Sequence, residues 1–139
     1  MVKNKKAKGS NSERELFHML WDEFGAVVRV AGSGSTTRPA PDLLAGDGKR
    51  MLAIECKAVG DDKKYFDHKE IEELIQFSIM FGAEAWIAVK FDNRGWWFIE
   101  ASKLKKSKGN NYSVDLDFIK KEGLIFEELV GQFKQARLV

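Results

Sequence analysis

The sequence predicts an α/β fold with a mixed central β-sheet flanked by helices. Three observations predict it: a run at 51–59 that is largely apolar on both faces, helical spacing of apolar residues before and after it, and turn signals that cut the rest into short strands. At 139 residues, 44% hydrophobic and 32% charged, the chain reads as one folded domain, 1–139, with residues 1–9 a flexible basic arm.

Each element follows from local signals. Ser10 with Glu13 and Ser12 with Glu15 form two overlapping capping boxes, so a helix starts there. Leu16, Phe17, Leu20 and Phe24 give it a buried stripe, and Gly25 stops it. Residues 27–31 are a short β-branched strand carrying Arg29, and 32–41 are a loop of turn residues. A second strand covers 42–45, and Asp47-Gly48 turns it into the third, 51–59. Apolar residues on both faces make that third strand central in a sheet covered on both sides. A polar loop at 61–69 leads to a helix at 69–81, stopped by Gly82. Strands at 85–91 and 96–100 form a hairpin around 92–95, and a lysine-rich loop leads to a last short helix at 126–133.

Composition excludes several functions. No apolar run approaches the roughly 20 residues of a membrane span. The basic amino terminus lacks the apolar stretch of a secretory signal, so a cytoplasmic location is expected. A single cysteine, Cys56, excludes an intrachain disulfide framework and a Cys-cluster zinc site, and two histidines, His18 and His68, argue against a His-rich metal site. The net charge of +2 is mild, but Lys3, Lys5, Lys6 and Lys8 form one basic cluster and Lys103, Lys105, Lys106 and Lys108 another. Such clusters face a polyanion or are a solvated tail and loop.

The chemistry concentrates at 51–59. Strand alternation puts Glu55 and Lys57 on one face and Ile54 and Cys56 on the other, which makes Cys56 a small core residue. A carboxylate in an apolar strand needs compensation. Lys57 can provide it as an ion pair. Alternatively Asp42, brought alongside by the hairpin, converges with Glu55 on a cation, for which oxygen-only ligands suit Mg²⁺ or Mn²⁺. The bare acid-x-lysine pattern recurs at Asp47, Asp61, Asp62 and Asp67, so only its place in an apolar strand behind Pro41-Asp42 distinguishes Glu55. Glu13 lies one turn before the buried stripe, so its side chain is expected toward the sheet, in competition with its capping role. Arg14 and Arg29 are cations suited to forked phosphate contacts.

In the second helix Ile71, Leu74, Ile75, Phe77, Ile79, Met80 and Phe81 cover more than one stripe. That is either a deep core helix or a second buried face, most simply in a symmetric homodimer. Trp21, Trp86, Trp96 and Trp97 either pack on strands or stack on unpaired bases. Lys90, at the end of an apolar strand, reads as a solvated strand end or a phosphate contact.

Taken in order, Lys8-Gly9, Ser12-Glu13-Arg14-Glu15-Leu16, residues 28–33 around Arg29, Pro41-Asp42-Leu43-Leu44-Ala45-Gly46, Ile54-Glu55-Cys56-Lys57, Phe77, Phe81, Val89-Lys90-Phe91 and Gly95–Glu100 resemble the archaeal-type Holliday-junction resolvases of the PD-(D/E)xK nuclease superfamily. The resemblance covers about the first hundred residues and implies a restriction-endonuclease-like fold. It implies a homodimeric, metal-dependent endonuclease that makes paired nicks in four-way DNA junctions, leaving 5′-phosphates, in association with the nucleoid. Glu13, Asp42 and Glu55 are then metal ligands for Mg²⁺ (Mn²⁺ as substitute), Lys57 orients the attacking water, and Ser33 is the catalytic-loop serine near the cleaved strand. Arg14, Arg29, Arg38 and Lys90 contact branched DNA, and Phe77, Met80 and Phe81 form the dimer interface. The active-site residues alone also fit a restriction-like or repair nuclease, or a DNA-binding module whose acids are structural.

Overall fold

The computed structural model describes residues 5–30, 38–60, 63–107 and 109–131. In chain order the elements are α1 (Lys5–Glu23), β1 (Ala26–Arg29), β2 (Leu43–Gly46), β3 (Met51–Val59), β4 (Lys63–Phe66), α2 (His68–Phe81), β5 (Glu84–Phe91), β6 (Gly95–Glu100), a 3₁₀ turn (Ala101–Lys103), β7 (Lys105–Lys106), β8 (Tyr112–Asp115), α3 (Leu116–Glu122) and α4 (Phe126–Leu129). A five-stranded sheet runs in the order β1-β2-β3-β5-β6. β3 pairs antiparallel with β2 and parallel with β5, and the outer pairs are antiparallel, so the sheet is mixed as expected.

Side chains alternate across β3 into two cores. Leu52 and Ile54 pack with Leu16 and Leu20 of α1, Leu43 of β2, Phe98 of β6 and Phe126 and Leu129 of α4. Ala53 and Val59 pack on the opposite face with Ile71 and Leu74 of α2, Phe66 of β4, Ile87 and Val89 of β5 and Ile119 of α3. A strand with a core on either side has to be apolar throughout, which is why this run stands out in the sequence. The end of α1 meets β2 so closely that a Cβ on Gly25 would stand 2.1 Å from the Gly46 carbonyl oxygen. Helix α2 starts on Asp67, whose side chain accepts the Lys69 N–H, and ends on Gly82 at φ 79 in the left-handed region.

Four features differ from expectation. Helix α1 begins at Lys5, ahead of the capping boxes, so residues 5–9 belong to the helix rather than to an arm. Lys5, Lys6, Ala7 and Lys8 are strong helix formers and extend it backwards, which leaves Glu13 and Glu15 in mid-helix with no capping role. The segment expected as a loop at 61–69 contains β4 and the start of α2. The lysine-rich segment and the residues after it hold β7, β8 and α3, and β4-β8-β7 form a second, three-stranded antiparallel sheet. The last helix spans Phe126–Leu129, while residues 132–139 of the expected 126–133 helix and beyond lie outside the described residues. Among the described residues no helix is long and apolar enough to cross a membrane.

Candidate active site

The site exists because β2 stops early. β2 begins at Leu43, opposite Ile54, whereas β3 continues to Val59. From Glu55 onward β3 therefore lacks a strand on its β2 side. Asp42 sits one residue before β2, next in register to Glu55, and its Oδ2 accepts the Cys56 backbone N–H at 2.9 Å. The opening widens into a cleft of about 460 Å³ between the sheet and α2. Asp42, Glu55, Asp67, Glu70 and Glu73 line it alongside Arg38 and Lys69, so the cleft carries excess negative charge.

Glu55 is the residue under most stress. Burial, then the charge of Asp42, pushes its carboxyl up to about 9, against a smaller opposing pull from Lys57. Its Oε1 is buried with no hydrogen-bond partner. Lys57 turns to α2, where its Nζ pairs with Glu70 Oε1. Burial pulls the Lys57 ammonium down, but the Glu70 hydrogen bond and charge outweigh it and hold the lysine protonated. The Cys56 thiol is pushed up by burial and by the charges of Asp42, Glu13 and Glu55, so it stays neutral, as expected of a core cysteine.

The structure thus brings Asp42, Glu55 and Lys57 together. Glu13 lies close enough for its charge to act on Cys56, but its Oε1 accepts a hydrogen bond from Arg29 Nε at 3.0 Å. Among the described residues no three His, Cys, Asp or Glu side chains stand in position to hold one ion. Arg14 is exposed on α1, and Arg38 lies on the cleft wall. Lys90 Nζ is held by both oxygens of Glu15 at 2.9 and 2.8 Å, and Trp96 Nε1 donates to the same carboxylate at 2.7 Å. Phe77 lines the cleft and stacks on Phe81, 5.2 Å between ring centres. Ser33 lies outside the described residues.

Two contributors are invisible in the sequence. Glu70 and Glu15 are surface-type residues on helices, and nothing in their local pattern marks the lysines they grip on distant strands. A fit test for a metal ion comes from the donors themselves. Two facing carboxylates, one with a buried unpartnered oxygen, in an acid-rich cleft, are suited to a hard divalent cation.

A mixed sheet whose central strand carries Glu55-Cys56-Lys57, with an aspartate clamped beside it from the residue just ahead of the neighbouring strand, defines a nuclease of the restriction-endonuclease-like fold. Over residues 4–138 the sequence matches the family described as archaeal Holliday junction resolvase (hjc). It is 38% identical over 132 residues to the crossover junction endodeoxyribonuclease Hjc of Archaeoglobus fulgidus, covering 95% of this chain and 96% of that one. It is 38% identical over 137 residues to the Hjc of Methanocaldococcus jannaschii, covering 99% and 97%. The solved structure of Archaeoglobus fulgidus Hjc, a Holliday junction resolvase, superposes with a TM-score of 0.80 at 35% identity over 89% of this chain and 96% of that one. The chain belongs to the archaeal Holliday junction resolvase family.

Proposed function

We propose that the protein is a homodimeric, Mg²⁺-dependent endonuclease that resolves four-way DNA junctions, with Mn²⁺ an accepted substitute. The observation that carries this reading is the buried, unpartnered Glu55 Oε1 beside Asp42 on the wall of an acid-lined cleft. Two carboxylates half-removed from water resist joint ionisation, and an incoming DNA phosphate adds further repulsion. Asp42 and Glu55 would hold a divalent cation, and its charge would remove both penalties. Once bound, it would supply positive charge for the scissile phosphate and lower the pKa of a water molecule.

The chain's own groups divide the remaining work. Lys57, protonated and fixed by Glu70, orients the attacking water and sets a positive charge beside the charge that develops on the phosphate. Water attacks phosphorus in line as the P–O3′ bond breaks, leaving a 5′-phosphate on one strand end and a 3′-hydroxyl on the other. Glu13 and Arg29 neutralise each other in the free protein. A DNA phosphate that took Arg29 would leave the Glu13 carboxylate available as a third ligand. Arg14, Arg38 and Lys90 meet the DNA backbone, and Ser33 belongs to the loop at the cleaved strand. Acting on branched chromosomal DNA places the protein in the cytoplasm with the nucleoid.

The dimer reading rests on α2. Its inner face buries Ile71, Leu74 and Ser78, while Ile79, Met80 and Phe81 are 67%, 79% and 50% exposed. Apolar side chains left in water at the end of a helix suit a two-fold partner. A four-way junction has near two-fold symmetry, so such a dimer offers one cleft to each of two opposing strands.

The deciding experiment incubates a labelled four-way junction, linear duplex and single strands with wild type or Asp42→Asn, in Mg²⁺ or EDTA. Paired symmetric nicks in the junction alone, lost in EDTA and in the variant, are expected. Comparable cleavage of linear duplex means a nuclease of broader substrate. Tight junction binding without cleavage in any metal means a binding module and overturns the assignment of Glu13, Asp42, Glu55 and Lys57.

A further inference from the structure

The second sheet takes no part in the site above, yet its outer face is organised. Register places Tyr65, Ser113 and Lys105 in one row across β4, β8 and β7, with Lys63 opposite Asp115 two positions along, in the next row of the same face. The inner face sends Phe66 and Val114 into the core, so the row containing Tyr65 and Lys105 faces outward. Tyr65 is 56% exposed, and Lys63 and Lys105 are exposed on the same face; Lys106 pairs with Tyr112 in the inward row and is exposed at the edge of the sheet, where β7 is the last strand.

The charges there are not neutralised. Arg29, Arg50, Lys57 and Lys90 each pair with a glutamate. Lys63, Lys105 and Lys106 form no ion pair with any carboxylate of the described residues, and each lies instead over an aromatic ring. The distances to ring centres are 4.9 Å to Tyr65, 5.7 Å to Phe118 and 5.9 Å to Tyr112. Asp115, an acid on this face, caps α3 by accepting the Phe118 N–H at 2.7 Å. Ammonium groups supported on rings and facing solvent suit a polyanion, and an exposed tyrosine suits its sugars and phosphates.

Position ties this face to the cleft. β4 runs directly into Asp67, which lines the cleft. Lys63 is separated from Asp67 by about 13 Å of extended chain. Each nucleotide of a duplex strand rises about 3.4 Å along the helix axis. A duplex arm that left the cleft along β4 would meet this sheet within roughly four to six nucleotides of the cut.

We propose that the outer face of the β4-β8-β7 sheet, together with its β7 edge, is a second DNA-contact surface. Lys63 and Lys105 on that face and Lys106 at the β7 edge neutralise backbone phosphates of the arm leaving the cleft, and Tyr65 packs against its sugars. The proposal rests on the DNA-cleaving reading of the cleft and extends it to an arm that the carboxylates never touch. The contribution is to affinity, because none of these side chains reaches the reacting phosphate.

The test is the full chain carrying Lys63→Gln, Lys105→Gln and Lys106→Gln together. Binding to a four-way junction is measured in EDTA across a salt series, and single-turnover cleavage is measured at saturating protein in Mg²⁺. The expected result is affinity weakened about tenfold or more, with the slope of log affinity against log salt shallower by about 2–3. Single-turnover cleavage stays at the wild-type rate, and the triple Lys→Arg variant keeps wild-type affinity. A methylphosphonate patch about four to six nucleotides from the cut weakens wild type but adds nothing to the Gln variant. Unchanged affinity and salt slope in the Gln variant overturn the proposal while leaving the nuclease reading intact. Absence of junction binding by wild type instead overturns the nuclease reading itself.

Discussion

Asp42 Oδ2 holds the backbone N–H of Cys56 at 2.9 Å, fixing an aspartate in front of β2 against the residue that follows Glu55. This bond fills the place of the missing strand pairing and sets the two carboxylates face to face. It also makes Asp42 two things at once, an acceptor and a charge, and substitutions can separate them. Asp42→Asn keeps an acceptor for Cys56 and removes the charge. Its fold should stay within about 1 kcal/mol of wild type, while cleavage drops by at least ~100-fold. Because the Asp42 charge is the second cause of the Glu55 shift, the Glu55 carboxyl should titrate below 9 in this variant. It stays above its ordinary value, because burial remains. Asp42→Ala additionally strands the Cys56 N–H, at a cost of about 1–3 kcal/mol. Carboxyl-labelled NMR titration with thermal melts separates the two; an unmoved Glu55 titration in Asp42→Asn contradicts the coupling.

The same shift has a direction in pH. Glu55 is raised from 4.5 to about 9 in the folded chain, so between those values the native state binds a proton that the unfolded chain does not. Metal-free stability contributed by this group is complete below about pH 4.5 and is lost as pH rises toward 9. Glu55→Gln, which cannot ionise, should therefore gain at least ~1 kcal/mol over wild type at pH 9 relative to their difference at pH 5. A divalent cation requires the deprotonated form, so Mg²⁺ binding should release protons at pH 7 and tighten toward pH 9. Titration calorimetry in buffers of different ionisation enthalpy measures that release. Proton-neutral binding would mean that Glu55 is not a ligand.

The legibility of the fold tracks the strength of each local signal. Residues 51–59 are readable because a core on each side enforces an unbroken apolar run, interrupted only where Glu55, Cys56 and Lys57 meet the cleft. Asp42 is readable because a two-strand hairpin has a fixed register. β4 and β7 are not: Lys63-Lys64-Tyr65-Phe66 buries only Phe66 fully, and Lys105-Lys106 buries nothing, so neither shows a period. The start of α1 differs because capping boxes mark where a helix can begin, not where strong helix formers upstream extend it. The Lys57–Glu70, Lys90–Glu15 and Glu13–Arg29 pairs join separate elements, and no single stretch of chain records them.

At the end of the sheet farthest along β3 from Lys57, Arg50 clamps the carboxy-terminal part of the chain. Its Nε and Nη2 donate to the two oxygens of Glu84 at 2.8 and 2.9 Å, and its Nη1 donates to the Leu129 carbonyl at 2.7 Å. Trp86 Nε1 adds a hydrogen bond to Glu84 at 3.0 Å. A forked guanidinium–carboxylate contact is geometrically specific, so lysine is a poor substitute. Both side chains are partly exposed, which keeps the pair modest. Arg50→Lys should cost about 1–2 kcal/mol and speed amide exchange in α4 first, with junction cleavage retained below the melting temperature. Equal exchange across the whole chain would place the clamp elsewhere.

Lys90 and Glu15 tie β5 to α1 two residues from Glu13. The Lys90 hydrogen bond is the largest cause holding the Glu15 carboxyl below its ordinary value. Both groups are substantially exposed, so Lys90→Met should move the melting temperature by only a few degrees. Its larger consequence is on DNA: junction affinity in EDTA falls by roughly tenfold and the salt slope shrinks by about 1. Wild-type affinity with lowered stability would reduce Lys90 to a strut for α1.

Met80 tests the symmetry of the reaction. At 79% exposed it contributes little to its own subunit, so Met80→Glu should fold with a stability within about 0.5 kcal/mol of the wild-type monomer. In a dimer, the same substitution buries two like charges across the two-fold axis, next to the stacked Phe77 and Phe81. Sedimentation at micromolar concentration should then report half the wild-type mass. Junction products should shift from paired nicks to single, uncoordinated ones, because each cleft remains complete within its own chain. Wild-type mass together with paired nicks would place the two-fold contact away from the end of α2.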